Sequence, residues 1–127
     1  MNEPLRPKRL ELSWRIVLLV FLGGALGTLA RFELDTLLEF GPFLMIVNIV
    51  GSFVLGAANG DARGSNESRA FFGIGFAGGF TTMSGVSLVL LIAGETLPLI
   101  AAYAIAMFGL SLAAYVAGMR FLSEAKK

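Results

Sequence analysis

Apolar positions along the chain gather into four long stretches without a charged residue, at 16–30, 41–60, 70–94 and 96–119. A helix needs about 20 apolar residues to cross a hydrocarbon layer of about 30 Å. Three stretches meet that length directly. The first meets it when Arg15 and Arg31 lay their stems along the apolar surface and keep their charges at the interface. The pattern therefore predicts an all-α membrane protein, one four-helix domain over 1–127, with spans at about 12–32, 41–60, 70–94 and 96–121. Basic residues precede the first span, but no small-residue cleavage site follows it, so it reads as a retained helix.

The polar segments mark the joints. Residues 1–13, with Pro4 and Pro7, read as a short interfacial arm. Glu33, Asp35 and Glu39 with Gly41-Pro42 predict a turn between the first two spans. Residues 61–69 form the one clearly hydrophilic loop, with Ser65 or Asn66 placed to cap the third helix. Glu95, Thr96 and Pro98 suit the first turn of the fourth helix.

The third span departs from a plain apolar helix. Gly73, Gly75, Gly78, Gly79, Thr81, Thr82, Ser84, Gly85 and Ser87 crowd its middle, and each interior glycine costs about 1 kcal/mol relative to alanine. Gly78-Gly79 followed by Thr81-Thr82 predicts an unwound turn at 78–81. Backbone freed inside a bilayer must be buried in protein or line a cavity, where its carbonyls can face a cation. The alternative is a kink whose hydroxyls bond back to their own helix.

Composition narrows the chemistry. Only 15% of residues are charged, and there is no Cys and no His, which removes disulfides, thiolate and imidazole metal sites and histidine catalysis. No enzyme activity is expected, and no nucleic-acid partner. Nine of the ten Lys and Arg residues fall on the side of the N terminus, and only Arg31 falls on the other. In short loops that asymmetry places both termini in the cytoplasm, so the expected location is the cell membrane, multi-pass. The span interiors lack the carboxylates and amines that proton-coupled pumps use, which favours a channel over a coupled transporter.

Asn48 lies in the middle of the second span with Ser52 one turn on. A buried amide needs a partner, so Asn48 either bonds across helices or offers its NH2 to a dehydrated anion. Tyr103 and Ser111 share a face of the fourth span with Met107 between them. The spacings Gly23/Gly27, Gly56/Gly60 and Gly75/Gly79 are close-approach surfaces that serve either an oligomer or the packing of one chain.

Three strings, GGALGTLAR at 23–31, VNIVGSF at 47–53 and GFAGGFTTMS at 75–84, together resemble the Fluc/CrcB family of fluoride channels across nearly the whole chain. The resemblance implies a dimer of antiparallel four-helix subunits, with two fluoride pathways and a central structural sodium ion. It implies that backbone carbonyls of Gly78 and Thr81 hold the sodium. It matches Asn48 to a pore-lining asparagine and Arg31 to the arginine that ends the first helix, and Tyr103 and Ser111 resemble, by spacing only, a polar track on the fourth; Ser52, Thr82 and Ser84 join the expected fluoride pathway as polar residues of the second and third spans. The family pattern resembles TTFSTFS with a glutamate two places on, whereas this chain has Met83, Gly85, Val86 and Val89 at the departing positions. Met83 and Val86 thus stand where two pore phenylalanines are expected, whose ring edges carry partial positive charge.

That departure and the charge bias together predict a heterodimer with an oppositely oriented homologous subunit, the homodimer being the alternative. The remaining functional alternatives are a non-conducting membrane scaffold or regulator and a small four-helix coupled transporter.

Overall fold

A computed structural model describes residues 12–37, 42–61 and 64–125. Among them the secondary structure is helical throughout, in the order α1 (Trp14–Leu37), α2 (Pro42–Gly60), α3 (Asn66–Ser68), a π-helix (Arg69–Ala77), α4 (Gly78–Phe80), α5 (Ser84–Ile92) and α6 (Leu97–Ala125). These make four segments long and apolar enough to cross a membrane, Trp14–Leu37, Phe43–Gly60, Asn66–Ile92 and Leu97–Glu124.

The helix ends correct the sequence reading in several places. The first helix runs five residues past Phe32, so Glu33 and Asp35 are helical and Arg31 does not end it. The change to charged residues marks where the helix leaves an apolar environment, not where it stops. Ala30 and Leu34, one turn apart, carry packing against the core through that region, and the Thr36 hydroxyl donates to the Glu33 carbonyl at 2.7 Å. The rest of the expected turn, at Glu39 and Gly41, and the N-terminal arm at 1–11 lie outside the described residues.

The third segment starts at Asn66, four residues early, because Ser65 caps it by accepting from the Ser68 N–H at 3.1 Å. Residues Arg69–Ala77 are π-helical rather than α-helical, a widened turn that small buried residues, Ala70, Gly73, Gly75 and Ala77, accommodate. Gly78 and Gly79 are themselves helical. Helical geometry lapses instead at 81–83, where Thr81 is extended with φ −77° and ψ 154°. Glu95 and Thr96 precede α6, whose first turn opens on the Thr96 carbonyl accepting from Leu99 and Ile100. The chain reverses into it at Gly94, the one described residue with a left-handed φ, of 64°, which only glycine adopts without strain. α6 also continues four residues past Phe121.

α1 lies against the π-helix and α4, while α2 lies against α6 and the π-helix. All three glycine pairs work inside this one chain. A Cβ on Gly23 or Gly27 would strike the backbone of Phe71 or Phe76, one on Gly79 would strike Gly24, and those on Gly56 and Gly60 would strike Tyr115 and Met119. Small residues thus let backbones touch, the packing mode that replaces hydrophobic collapse in lipid. Large side chains point outward along every span, among them Phe21, Leu91, Ile105 and Leu112, as a hydrocarbon surround permits. The buried cluster is small: Phe43, Leu44, Val47, Phe80, Val86 and Met107.

Gly27→Ala is expected to destabilise the fold by about 1–3 kcal/mol, the usual cost of an added methyl group with nowhere to go. Gly109, where a Cβ meets nothing within 4 Å, is the control, since Gly109→Ala in the same melting assay should cost the isolated fold nothing.

Candidate functional site

The polar side chains of the spans converge where the third segment is interrupted. Up to Phe80 the helical ladder holds, and the Thr81 N–H still reaches the Ala77 carbonyl at 3.0 Å. At the next residue the ladder is replaced by α2. The Thr82 N–H donates to Asn48 Oδ1 at 2.8 Å, and Asn48 Nδ2 donates back to the Thr82 carbonyl at 3.0 Å. The other Nδ2 hydrogen is directed at Met107 Sδ, 3.3 Å away. Asn48 and Thr82 are both buried, so these bonds act where water does not compete and where a missing partner is costly.

Thr82 also starts the next helix. Its hydroxyl accepts from the Gly85 N–H at 3.1 Å and lies 3.3 Å from the Ser84 hydroxyl, the side-chain cap that threonine supplies at a helix start. Ser84 is exposed, and Met83 projects outward at the interruption, half exposed. Val86 points the other way, buried in the cluster with Val47 and Met107.

Asn48 and Ser52 are one turn apart on α2. Tyr103 and Ser111, both partly buried, lie one turn either side of Met107 on α6, and periodicity puts the three on one face. The Asn48–Met107 contact therefore brings two short polar stripes alongside each other. Ser52 also borders an open groove of about 230 Å³ between α2 and the third segment, whose walls include Gly51, Gly78 and Thr81. Among the described residues no hydrogen bond joins Arg31 to this cluster; the residue is half-buried, and its buried Nε finds no partner there.

Sequence reasoning missed three contributors. Thr28 donates its hydroxyl to the Gly79 carbonyl at 3.3 Å, Gly51 leaves room for the Thr81 methyl group, and Met107 accepts from Asn48. Only the last had a signal, its place between Tyr103 and Ser111. The other two depend on how α1 and α2 meet the third segment, which spacing within one helix does not report.

Residues 18–119 match the model of the family described as CrcB-like protein, Camphor Resistance. A relative from Cereibacter sphaeroides named "Fluoride-specific ion channel FluC" is 43% identical over 112 residues, covering 81% of this chain and 90% of its own length. One from Leifsonia xyli named "Fluoride-specific ion channel FluC 2" is 37% identical over 128 residues, covering 86% and 84%. A third, from Rhodococcus jostii, "Fluoride-specific ion channel FluC 1", is 44% identical over 68 residues, covering 54% and 55%. No solved structure matches the chain.

Proposed function

The chain belongs to the CrcB family, and from that membership we propose that it is one subunit of a passive fluoride channel of the cell membrane, letting fluoride leave the cytoplasm. The observation that carries the reading is the 43% identity to a relative named as a fluoride-specific channel. The polar stripes set into uncharged spans agree with it. A small anion leaving water needs replacement hydrogen-bond donors, and hydroxyls and amides supply them without the trap of a fixed positive charge. No span interior holds a carboxylate or amine to couple transport to protons, so flux is passive and no covalent chemistry is involved.

The proposed pathway follows Ser52, Thr82 and Ser84 with Tyr103 and Ser111, around Asn48. Arg31 gathers anions at one end of it. Met83 offers a thioether where the family resemblance leads one to expect a ring edge, and Val86 faces the chain's own core, so this subunit departs from that pattern at both positions. The pathway is completed by a second subunit, inverted relative to the first. Both termini of this chain lie in the cytoplasm, by the bias of its basic residues.

A structural sodium ion fits between two such subunits. The donors it requires are uncharged oxygens, and the Gly78 and Thr81 carbonyls lie at or beside the helical interruption. Gly78 is exposed, and a Cβ there would meet nothing from the rest of the chain within 4 Å beyond its own helix, so no close approach inside this chain calls for glycine and there is room for a second copy. Sodium should therefore raise the melting temperature of the assembled protein by mass action, relative to N-methylglucamine. Thr81→Ala should keep that response, because the ligand is backbone oxygen.

The decisive assay is fluoride efflux from liposomes, read with a fluoride electrode, for this chain alone and with a homologous subunit. Efflux in either case that a proton gradient does not alter supports the channel. Absence of efflux in both favours a scaffold or regulator, and gradient-driven flux favours a coupled transporter.

A further inference from the structure

We infer that Asn48 is a positioning residue, which holds the third segment open and by doing so keeps the Gly78 carbonyl out of the helix. An α-helical N–H at position i bonds the carbonyl at i−4, so the bond due after Thr81 N–H to Ala77 is Thr82 N–H to Gly78. That bond is replaced: the Thr82 N–H goes to Asn48 Oδ1 at 2.8 Å, and the amide returns Nδ2 to the Thr82 carbonyl at 3.0 Å. The side chain thus pairs with both backbone groups of one residue, as the peptide of a neighbouring strand would. Met107 fixes which way round the amide sits, since its sulfur accepts from Nδ2 at 3.3 Å and has no hydrogen to donate to Oδ1.

Burial makes the arrangement binding. Asn48 is 6% exposed and Thr82 8%, so without the amide the Thr82 N–H has no water to turn to, and its nearest remedy is to rewind onto Gly78. With both Nδ2 hydrogens directed at protein acceptors, Asn48 acts on an ion through the backbone it holds, and the hydroxyls around it act directly. The inference deepens the sodium reading above and rests on it for one of its two readouts.

The test uses the full chain in its assembled form, in detergent, with variants Asn48→Ala, Thr82→Pro, Thr82→Ala and the double variant Asn48→Ala/Thr82→Pro. Proline has no N–H, so it cannot rewind onto Gly78, and it demands an extended predecessor, which Thr81 already is. Thr82→Ala removes the cap on Gly85 but keeps the N–H, and so measures the part of the proline effect that has nothing to do with Asn48. In sodium-free buffer, the melting-temperature losses of Asn48→Ala and Thr82→Pro, the latter corrected by Thr82→Ala, should be strongly sub-additive in the double variant. Additive losses would overturn the inference. In sodium, the rise in melting temperature seen in the parent should disappear in Asn48→Ala and return in the double variant, although the double variant has also lost the Thr82 N–H and the hydroxyl that caps Gly85. A full sodium response in Asn48→Ala, or none in the double variant, would overturn the claim that the amide exposes the carbonyl. A parent chain indifferent to sodium would sink the sodium reading instead, and the additivity arm would still decide whether Asn48 holds the interruption.

Discussion

Asn48→Asp should lower fluoride efflux by about three orders of magnitude while leaving assembly nearly unchanged. The substitution keeps shape and keeps an oxygen for the Thr82 N–H, which at 2.8 Å becomes a charge-assisted bond. The second oxygen replaces Nδ2 and opposes the Thr82 carbonyl, so half of the pairing is lost. What the variant adds is a negative charge beside the proposed path of an anion. Two unit charges about 4 Å apart at an effective dielectric constant of about 20 repel by about 4 kcal/mol, and each 1.36 kcal/mol is a factor of about ten. Electrode-measured efflux and size-exclusion profiles on the same preparation read the two effects separately. Parallel loss of flux and assembly would mean that Asn48 serves packing alone.

Why the four spans are legible in the sequence is a matter of solvent. In a bilayer the helix is the default for any long apolar run, because every backbone group must be satisfied within the segment. The uncharged stretch 41–60 therefore locates the helix Pro42–Gly60 almost to the residue. Charge located the ends of α1 less well, since a helix leaving lipid need not stop: Leu34 still has core to cover one turn beyond Ala30. The π-helix at Arg69–Ala77 carried no signal at all. Glycine and alanine spacing permits both windings, and the elements that pack on that segment, α1 and α2, are distant from it in sequence.

The site divides along the same line. Asn48, Thr82 and Ser84 were singled out because polar groups amid apolar residues are costly without partners, and the structure puts these three into one hydrogen-bonded group. Which partner each would take was not readable. The two readings of Asn48, a bond across helices or a donor to an anion, differ only in what stands opposite α2, and the residue opposite is Thr82, thirty-four positions later in the chain. Likewise the pairs Gly23/Gly27 and Gly75/Gly79 declare close approach but not to what. The answer, each other, needs the fold.

The strongest consequence of the sequence concerns how many genes the channel needs. Because both pathways in an inverted dimer are shared, an identical pair would require this chain to insert both ways, and that requires a weak basic bias. Here nine of ten Lys and Arg residues lie on one side, a bias that in short loops sets a single orientation. On the reading proposed above, the inverted partner is expected to be a homologous chain with the opposite bias, free to keep the aromatic groups that the family resemblance leads one to expect at Met83 and Val86. Expressed alone in cells, this subunit should give no fluoride efflux above background, and co-expression with its partner should restore it. The chain contains no cysteine, so a single cysteine introduced at either terminus reports its side of the membrane by reaction with an impermeant maleimide. Labelling only after the membrane is opened, together with efflux only on co-expression, supports the heterodimer. Robust efflux from this chain alone, with termini labelled on both faces, would show instead that it inserts both ways and pairs with itself.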